Sequence, residues 1–412
     1  MFSFKLLLAQ IAIILSAARL LGWLFRKLHQ PRVIGEMLAG ILLGPSLLGW
    51  AAPDLSAALF PASSLPALGA LSQLGLLLFM FLIGLELDLK QVRELGRVAI
   101  VTSLASIVIP FGFGSLLATA LYPLFAEPHI NRTAFILFIG TAISITAFPV
   151  LARILAERDL LRTRVGALAL TCAAINDTAA WCMLAGIVAL VRASDLTWPL
   201  WQTLLALTGF VVFMFVVAKP TLQRLVPLYA WRQELSHDIL ALIFLTVLLA
   251  GWVTEALGVH ALFGAFLAGL VMPRDADMSQ ALWLRIEALI VVLLLPLYFA
   301  LTGLRSSVFL ISGARWLICA VIIGTAIVGK LGGSTLAARV SGLSWREATA
   351  VGILLNTHGM VELVILNIGL DLGIIPPALF SIMVLMALVT TLMAAPLLSL
   401  VYRERPTNQA PV

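Results

Sequence analysis

One acid, Asp177, stands in the run Val165 to Val191, which holds no other acid or base. A carboxylate so deep in an apolar stretch costs at least a few kcal/mol to insert into a membrane, and such acids mark ion or proton sites. Burial penalises its ionised form, so a proton or a hard monovalent cation must answer the charge, and the two compete for one group. The plainer reading is a structural carboxylate hydrogen-bonded to neighbouring helices, aided by Asn176, Thr178 and Thr171. Two other stretches carry polar groups at similar depth. In GTAISITAFPVLARIL, Pro149 cannot donate to the carbonyl of Ile145, and Thr141, Ser144 and Thr146 offer hydroxyls to freed backbone groups. In LLNTHGMVELVILNIG, residues Asn356, Thr357, His358 and Gly359 interrupt an apolar helix. Broken helices in corresponding places point to a transporter's binding site, because their ends expose unpaired carbonyls and amides. Ordinary Gly/Pro kinks are the alternative. Oxygens of Thr141, Thr146 and Asn356 suit a hard cation or hold the crossing.

Three further groups complete the chemistry. Lys330 lies within an apolar run that begins near Trp316; it either balances carbonyl ends of the breaks or snorkels to an interface. Glu362 is in phase with His358 at i, i+4, so the two could pair on one helix face. His358 titrates near physiological pH, which suggests a pH sensor or else a simple polar contact. Glu86, Glu255 and Asp371 fall near expected membrane faces, as solvated groups.

The chain that must position these residues has 412 residues, of which 62% are hydrophobic and 11% charged, with a mean hydropathy of +1.09. About a quarter of residues are charged in soluble domains, so this is a polytopic membrane protein. Its net charge of +6 reflects loop cations, and no nucleic-acid partner is expected. Residues 1–25 are long enough to span and lack a small-residue cleavage site, so they read as the first span rather than a signal peptide. Cys172, Cys182 and Cys319 fall in apolar spans without metal or disulfide spacing and read as packing residues. No cofactor is expected, and no metal beyond a monovalent cation at Asp177. After Tyr402 only RERPTNQAPV follows, so no soluble catalytic or regulatory domain is expected there.

With about 20 apolar residues per crossing, thirteen spans emerge: 5–25, 33–49, 66–87, 98–122, 133–156, 164–191, 198–218, 237–257, 259–273, 283–304, 314–338, 346–370 and 376–402. Loops at 26–32, 90–97, 153–164, 219–232, 274–285, 339–346 and 403–405 carry nineteen of the 26 lysines and arginines, against five on the opposite side. The N-terminus is therefore expected outside and the C-terminus in the cytoplasm. LAGILLGP (38–45) resembles LAGLVMP (267–273), and FLIGLE (81–86) resembles ALTGLR (300–305). Each match pairs an even span with an odd one, as in the inverted repeats of secondary transporters. The implied organisation is a first repeat at 33–191 with core helices at about 98–191, a linker helix at 192–236, a second repeat at 237–402 and a short cytoplasmic tail at 403–412.

The blocks GEMLAGILLGPSLLG (35–49), LLLFMFLIGLELD (76–88), AISITAFPVLARILAE (142–157), AAINDTAAW (173–181), GVHALFGAFLAGLVMP (258–273), LPLYFALTGLRS (295–306), GKLGGSTLAARVSGLSWREA (329–348) and NTHGMVELVILNIG (356–369) resemble the monovalent cation:proton antiporter-2 family, nearest to the plant CHX type and its bacterial relatives. The resemblance covers nearly the whole chain. It implies a thirteen-helix fold like that of bacterial sodium/proton antiporters, a homodimer, a core domain moving against a scaffold, and a bacterial inner (plasma) membrane location. It also implies that Asp177 exchanges proton for cation. In electrogenic relatives an acid precedes that position and pairs with a lysine at the place of Lys330; here Asn176 precedes it. Glu36 and Arg153, which recur in the family blocks, are implied to be structural. The long hydrophilic C-terminal domains of many relatives are absent, so nucleotide or glutathione gating is not expected.

With one acid the exchange of K+ or Na+ for H+ is expected to be electroneutral, one for one, unless Lys330 also gives up a proton. A second acid would couple the cycle to voltage at about 2.3 kcal/mol per net charge per 100 mV. Rival readings are a Kef-like gated potassium efflux pathway and an organic-anion transporter on the same fold. The first lacks a TVGYG-like filter and the second meets repulsion from Asp177. An enzyme is disfavoured: no Ser/His/Asp constellation or HExxH occurs, although His260 and Glu255 lie close in sequence.

Overall fold

In the computed structural model the described residues are 3–28, 30–86, 96–126, 130–158, 160, 163–192, 200–232, 235–273 and 275–402. The tail 403–412 and the loop cations Lys90, Arg93, Arg162 and Arg274 lie outside them, as does the side chain of Glu86.

The described chain is all helical. Its principal helices are α1 (Phe4–Lys27), α2 (Arg32–Leu43), α3 (Leu65–Glu86), α4 (Gly96–Phe125), α5 (Arg132–Ser144), α6 (Phe148–Glu157), α7 (Arg164–Arg192), α8 (Leu200–Phe213), α9 (His237–Ala256), α10 (Ala261–Leu270), α11 (Ala276–Leu289), α12 (Leu295–Arg305), α13 (Arg315–Ile327), α14 (Gly333–Val340), α15 (Trp345–Leu355), α16 (Met360–Asp371) and α17 (Pro377–Val401). Single π turns, Ile290–Leu294 and Val328–Gly332, join α11 to α12 and α13 to α14. Helices occupy all thirteen apolar segments. Among the described residues ten are long and apolar enough to cross a membrane. The other three segments are 133–156 and 346–370, each divided into two half-helices, and 259–273, filled by the ten-residue α10.

Local sequence sets the helix ends. Asn131 caps α5 by accepting from the amide of Thr133 at 2.8 Å. Ser344 and Glu347 close a capping box at the start of α15. Each satisfies amides that the first helical turn leaves unpaired.

The chain divides into two compact units. One gathers Met1–Leu21, Glu36–Leu89 and Trp181–Ser307; the other gathers Gly22–Gly35, Lys90–Ala180 and Val308–Val412. Neither coincides with a sequence repeat: each takes segments from both halves of the chain. In the first unit α3 packs on α10 and α12, and Leu7, Ile14, Phe60, Leu68 and Leu297 form a buried apolar cluster. Two backbone-to-backbone approaches hold its helices together. Gly40 of α2 abuts the carbonyl of Phe299 in α12, and Gly303 of α12 abuts the backbone of Gly40. In the same way Gly84 of α3 abuts the carbonyl of Phe266 in α10, and Gly269 that of Phe81. Glycine here lets helix backbones touch, the usual device of packing in lipid, where apolar burial offers no preference.

In the second unit α4 packs on α5 and on α14, α14 on α15, and α17 on α13, α15 and α16. This unit contains Asp177 and both helix breaks.

Candidate ion and proton site

The two breaks meet. After Ser144 ends α5, Ile145 is extended (φ −76°, ψ 145°) and helix resumes at Phe148. After Leu355 ends α15, the chain is non-helical through Gly359, whose φ of +152° favours glycine, and resumes at Met360. The amide of Ala147 donates to the carbonyl of Thr357 at 3.0 Å, and Thr146 Oγ1 donates to the carbonyl of Leu355 at 2.8 Å. Each break thus supplies partners for the other. Pro149 follows the first break, in the first turn of α6, where a missing N–H costs nothing.

Four helix halves end here, and at three of these ends a side chain answers the partial charge or the free carbonyl. At the N-terminus of α6 the Phe148 amide donates to Asp177 Oδ2 at 3.3 Å. At the C-terminus of α5 the Lys330 ammonium donates to the carbonyl of Ser144, and also to that of Ser106 in α4 at 3.1 Å. At the C-terminus of α15 the Leu355 carbonyl takes the Thr146 hydroxyl, which in turn accepts from Asn176 Nδ2 at 3.1 Å. Asn176 Nδ2 also donates to Ser106 Oγ at 2.9 Å. Adjacent residues of α7 therefore do different work. Asn176 braces the crossing, whereas Asp177 is fully buried with Oδ1 lacking a hydrogen-bond partner among the described residues. Such an oxygen can hold a proton or meet a cation.

The chain's family follows from comparison with known proteins. A family model described as "Sodium/hydrogen exchanger, transmembrane" matches residues 14–403. This chain belongs to that exchanger family. It is 41% identical to the Na(+)/H(+) antiporter NhaS4 of Synechocystis over 96% of the chain and 97% of that protein. It is 43% identical to Cation/H(+) antiporter 17 of Arabidopsis thaliana and 37% to K(+)/H(+) antiporter 1 of Saccharomyces cerevisiae, in each case over 97% of the chain but 48% and 46% of those proteins. The exchanger-family chain thus spans nearly all of the cyanobacterial relative and about half of the other two. Its fold is that of the sodium proton antiporter MjNhaP1 from Methanocaldococcus jannaschii, with a TM-score of 0.67 at 15% identity over 97% of this chain and 96% of that one.

Within this exchanger-family member the expected site residues separate into groups. Asp177, Asn176, Thr146, Lys330, Ser144 and Thr357 converge on the crossing, the last two through their carbonyls. The hydroxyls of Thr141 and Ser144 turn back to Leu137 and Thr141 of their own helix, so neither reaches the crossing. Asn356 places Nδ2 3.9 Å from Met393 Sδ and leaves Oδ1 without a hydrogen-bond partner among the described residues. Arg153 is half-buried in α6, beyond the break, and Glu36 is buried in the other unit.

The expected pairing of His358 with Glu362 does not form. His358 lies in the non-helical break, so the i, i+4 spacing that would align the two is lost at Gly359. Its Nδ1 instead lies 2.9 Å from Thr390 Oγ1 and 3.2 Å from the Asn356 carbonyl, and its Nε2 lies 3.5 Å from the Ile143 carbonyl. Both oxygens of Glu362 are buried without a hydrogen-bond partner among the described residues. Ser106, Thr390 and Thr391 are further polar groups at the crossing, beyond the residues expected from sequence. Thr391 Oγ1 sits 2.6 Å from the carbonyl of His358. Two adjacent threonines within the apolar run of α17 were the available signal.

Replacing Thr146 with valine leaves both the Leu355 carbonyl and the Asn176 amide short of a partner. Stability should fall by about 2 kcal/mol, at roughly 1–3 kcal/mol per buried polar group left unpaired. Thermal unfolding of the purified variant measures this, and Thr146→Ser should recover most of the loss.

Proposed function

We propose that this protein exchanges a monovalent cation, K+ or Na+, for H+ by alternating access, one for one, with Asp177 as the shared site. The observation that carries the reading is the fully buried Asp177, with one oxygen held by the Phe148 amide and the other open. A carboxylate so placed cannot cross the membrane as a bare charge. It crosses with a proton or with a cation, and antiport follows from that competition. Family membership supports the class of reaction, and relatives named for Na+ and for K+ exchange support a monovalent cation of either kind. Asn176 binds no proton, so exchange at Asp177 alone moves no net charge.

The moving architecture is two inverted repeats within thirteen crossings, N-terminus outside, carried by a homodimer in a bacterial plasma membrane. The glycine contacts of the first unit support the repeat. Aligning the matched motifs puts Gly40 on Gly269 and Gly84 on Gly303. The contact of Gly40 with Gly303 then corresponds to that of Gly269 with Gly84, as a two-fold exchange of the halves requires.

Proton flux into proteoliposomes with an internal pH dye, K+ and Na+ added in turn and voltage clamped, tests the reading. Cation-driven proton movement indifferent to voltage is the expected result; movement of cations without protons would overturn it. Asn176→Asp places a second acid beside Lys330 and should make the flux voltage-dependent, with up to one extra charge per cycle, about 2.3 kcal/mol per 100 mV.

A further inference from the structure

We propose that Thr390 and Thr391 of α17 are positioning residues for the ion site: they hold the second helix break in register with Asp177, and through it set the affinity for the cation. The inference rests on the antiport reading above. From Asn356 to Gly359 the helix is interrupted, so its ladder of hydrogen bonds does not serve this backbone and other groups must. Thr357 finds partners nearby and in the first break: its amide donates to the Leu354 carbonyl at 3.2 Å, and its carbonyl accepts from the Ala147 amide at 3.0 Å. His358 is held from α17. The Thr391 hydroxyl donates to its carbonyl at 2.6 Å, and Thr390 Oγ1 lies 2.9 Å from its Nδ1. The other ring nitrogen, Nε2, lies 3.5 Å from the carbonyl of Ile143 near the end of α5, so one residue ties α17 to both breaks.

The plain reading of a threonine in a membrane helix is a hydroxyl turned back to the carbonyl four residues earlier. Thr221, Thr246 and Thr325 do this. Thr390 and Thr391 also approach their own carbonyls, those of Met386 and Ala387. Both are fully buried, however, and each has a second contact that leaves its helix for His358. A third side chain of α17, Met393, meets Asn356 of the same break, Sδ to Nδ2 at 3.9 Å. The influence of α17 reaches Asp177 through consecutive contacts. His358 follows Thr357, the Thr357 carbonyl holds the Ala147 amide, and the amide of Phe148, next in the chain, donates to Asp177 Oδ2 at 3.3 Å. That last bond is already long, and groups that build a binding site must be held to within about 0.5 Å. A break released from α17 shifts Thr357, and with it the amide that faces the carboxylate.

The test measures the half-saturating cation concentration and the maximal cation-driven proton flux per folded molecule, in proteoliposomes, for the full chain, Thr391→Val, Thr391→Ser, Thr390→Val and Thr325→Val. Valine matches threonine in shape but leaves the His358 carbonyl unpaired, so Thr391→Val should raise the half-saturating concentration about tenfold, with maximal flux within about twofold of the parent. Thr390→Val should raise it at least about threefold. Thr391→Ser keeps the hydroxyl and should stay within about threefold of the parent. Thr325→Val, whose lost hydroxyl bonds to its own helix, should match the parent. A parental half-saturating concentration in either Thr391→Val or Thr390→Val overturns the proposal. So does a fall in maximal flux with that concentration unchanged, which is what a merely structural role would give. Thr391→Ser behaving as the valine variant, or an equal effect of Thr325→Val, overturns it too. If Thr391→Val does not fold, Thr390→Val, which keeps the main-chain bond, decides by the same criterion. Asp177→Asn run alongside separates the failures: persistent flux there removes the antiport reading itself, whereas lost flux there with parental threonine variants removes only this inference.

Discussion

Asp177→Asn should abolish cation-dependent proton flux while leaving a folded protein. The amide matches the carboxylate in size and keeps a carbonyl oxygen for the Phe148 amide, which sits 3.3 Å from Asp177 Oδ2. It neither holds an exchangeable proton nor offsets a cation. Removing one partner of a buried charge pair costs about 3–5 kcal/mol, and each 1.4 kcal/mol is about tenfold, so cation affinity should fall by more than about a hundredfold. Proteoliposome flux measures the loss, and an unfolding transition within a few degrees of the parent's would show that the fold survives. Undiminished flux would make Asp177 structural.

Gly303→Ala should be as damaging to the fold as Asp177→Asn is to transport. The added methyl would fall within the carbonyl group of Gly40, and the obstacle is backbone, which no rotamer change can clear. Overpacking a core costs about 1–3 kcal/mol even where side chains can shift, so more is expected where α2 and α12 must separate. The protein should lose its single symmetric peak in size-exclusion chromatography, or melt many degrees lower. Gly324→Ala in α13 is the control. Nothing lies within 4 Å of its added methyl among the described residues, and it should be neutral or slightly stabilising.

Much of this arrangement was legible in the sequence because the membrane enforces a strict accounting. Apolar stretches must be helices, so the helical segments and both interruptions could be located, and Asp177 stood out because charge at depth is expensive. What the sequence hid are pairings between distant segments. Nothing local links Ser106 to Asn176, or Thr390 to His358; both depend on which helix faces return after long excursions. The His358–Glu362 pairing failed for a different reason, the extension of a helical period through residues that are not helical. Pro149 marks the break only indirectly, since the break precedes it and the proline sits in the first turn of the next half-helix. The glycine motifs were legible as repeats but not as contacts: Gly84 and Gly269 are 185 residues apart and touch backbone to backbone.

The claim that proton and cation compete for Asp177 is tested most directly by counting protons displaced on cation binding. Calorimetric titration of the purified protein with K+ and with Na+, each in two buffers of different ionisation enthalpy, gives that number. Competition at one carboxylate requires the proton release to approach about one per cation as the pH is lowered and the acid becomes protonated, and requires both binding and release to vanish in Asp177→Asn. Cation binding that displaces no proton over that range, or that persists in Asp177→Asn, would contradict it.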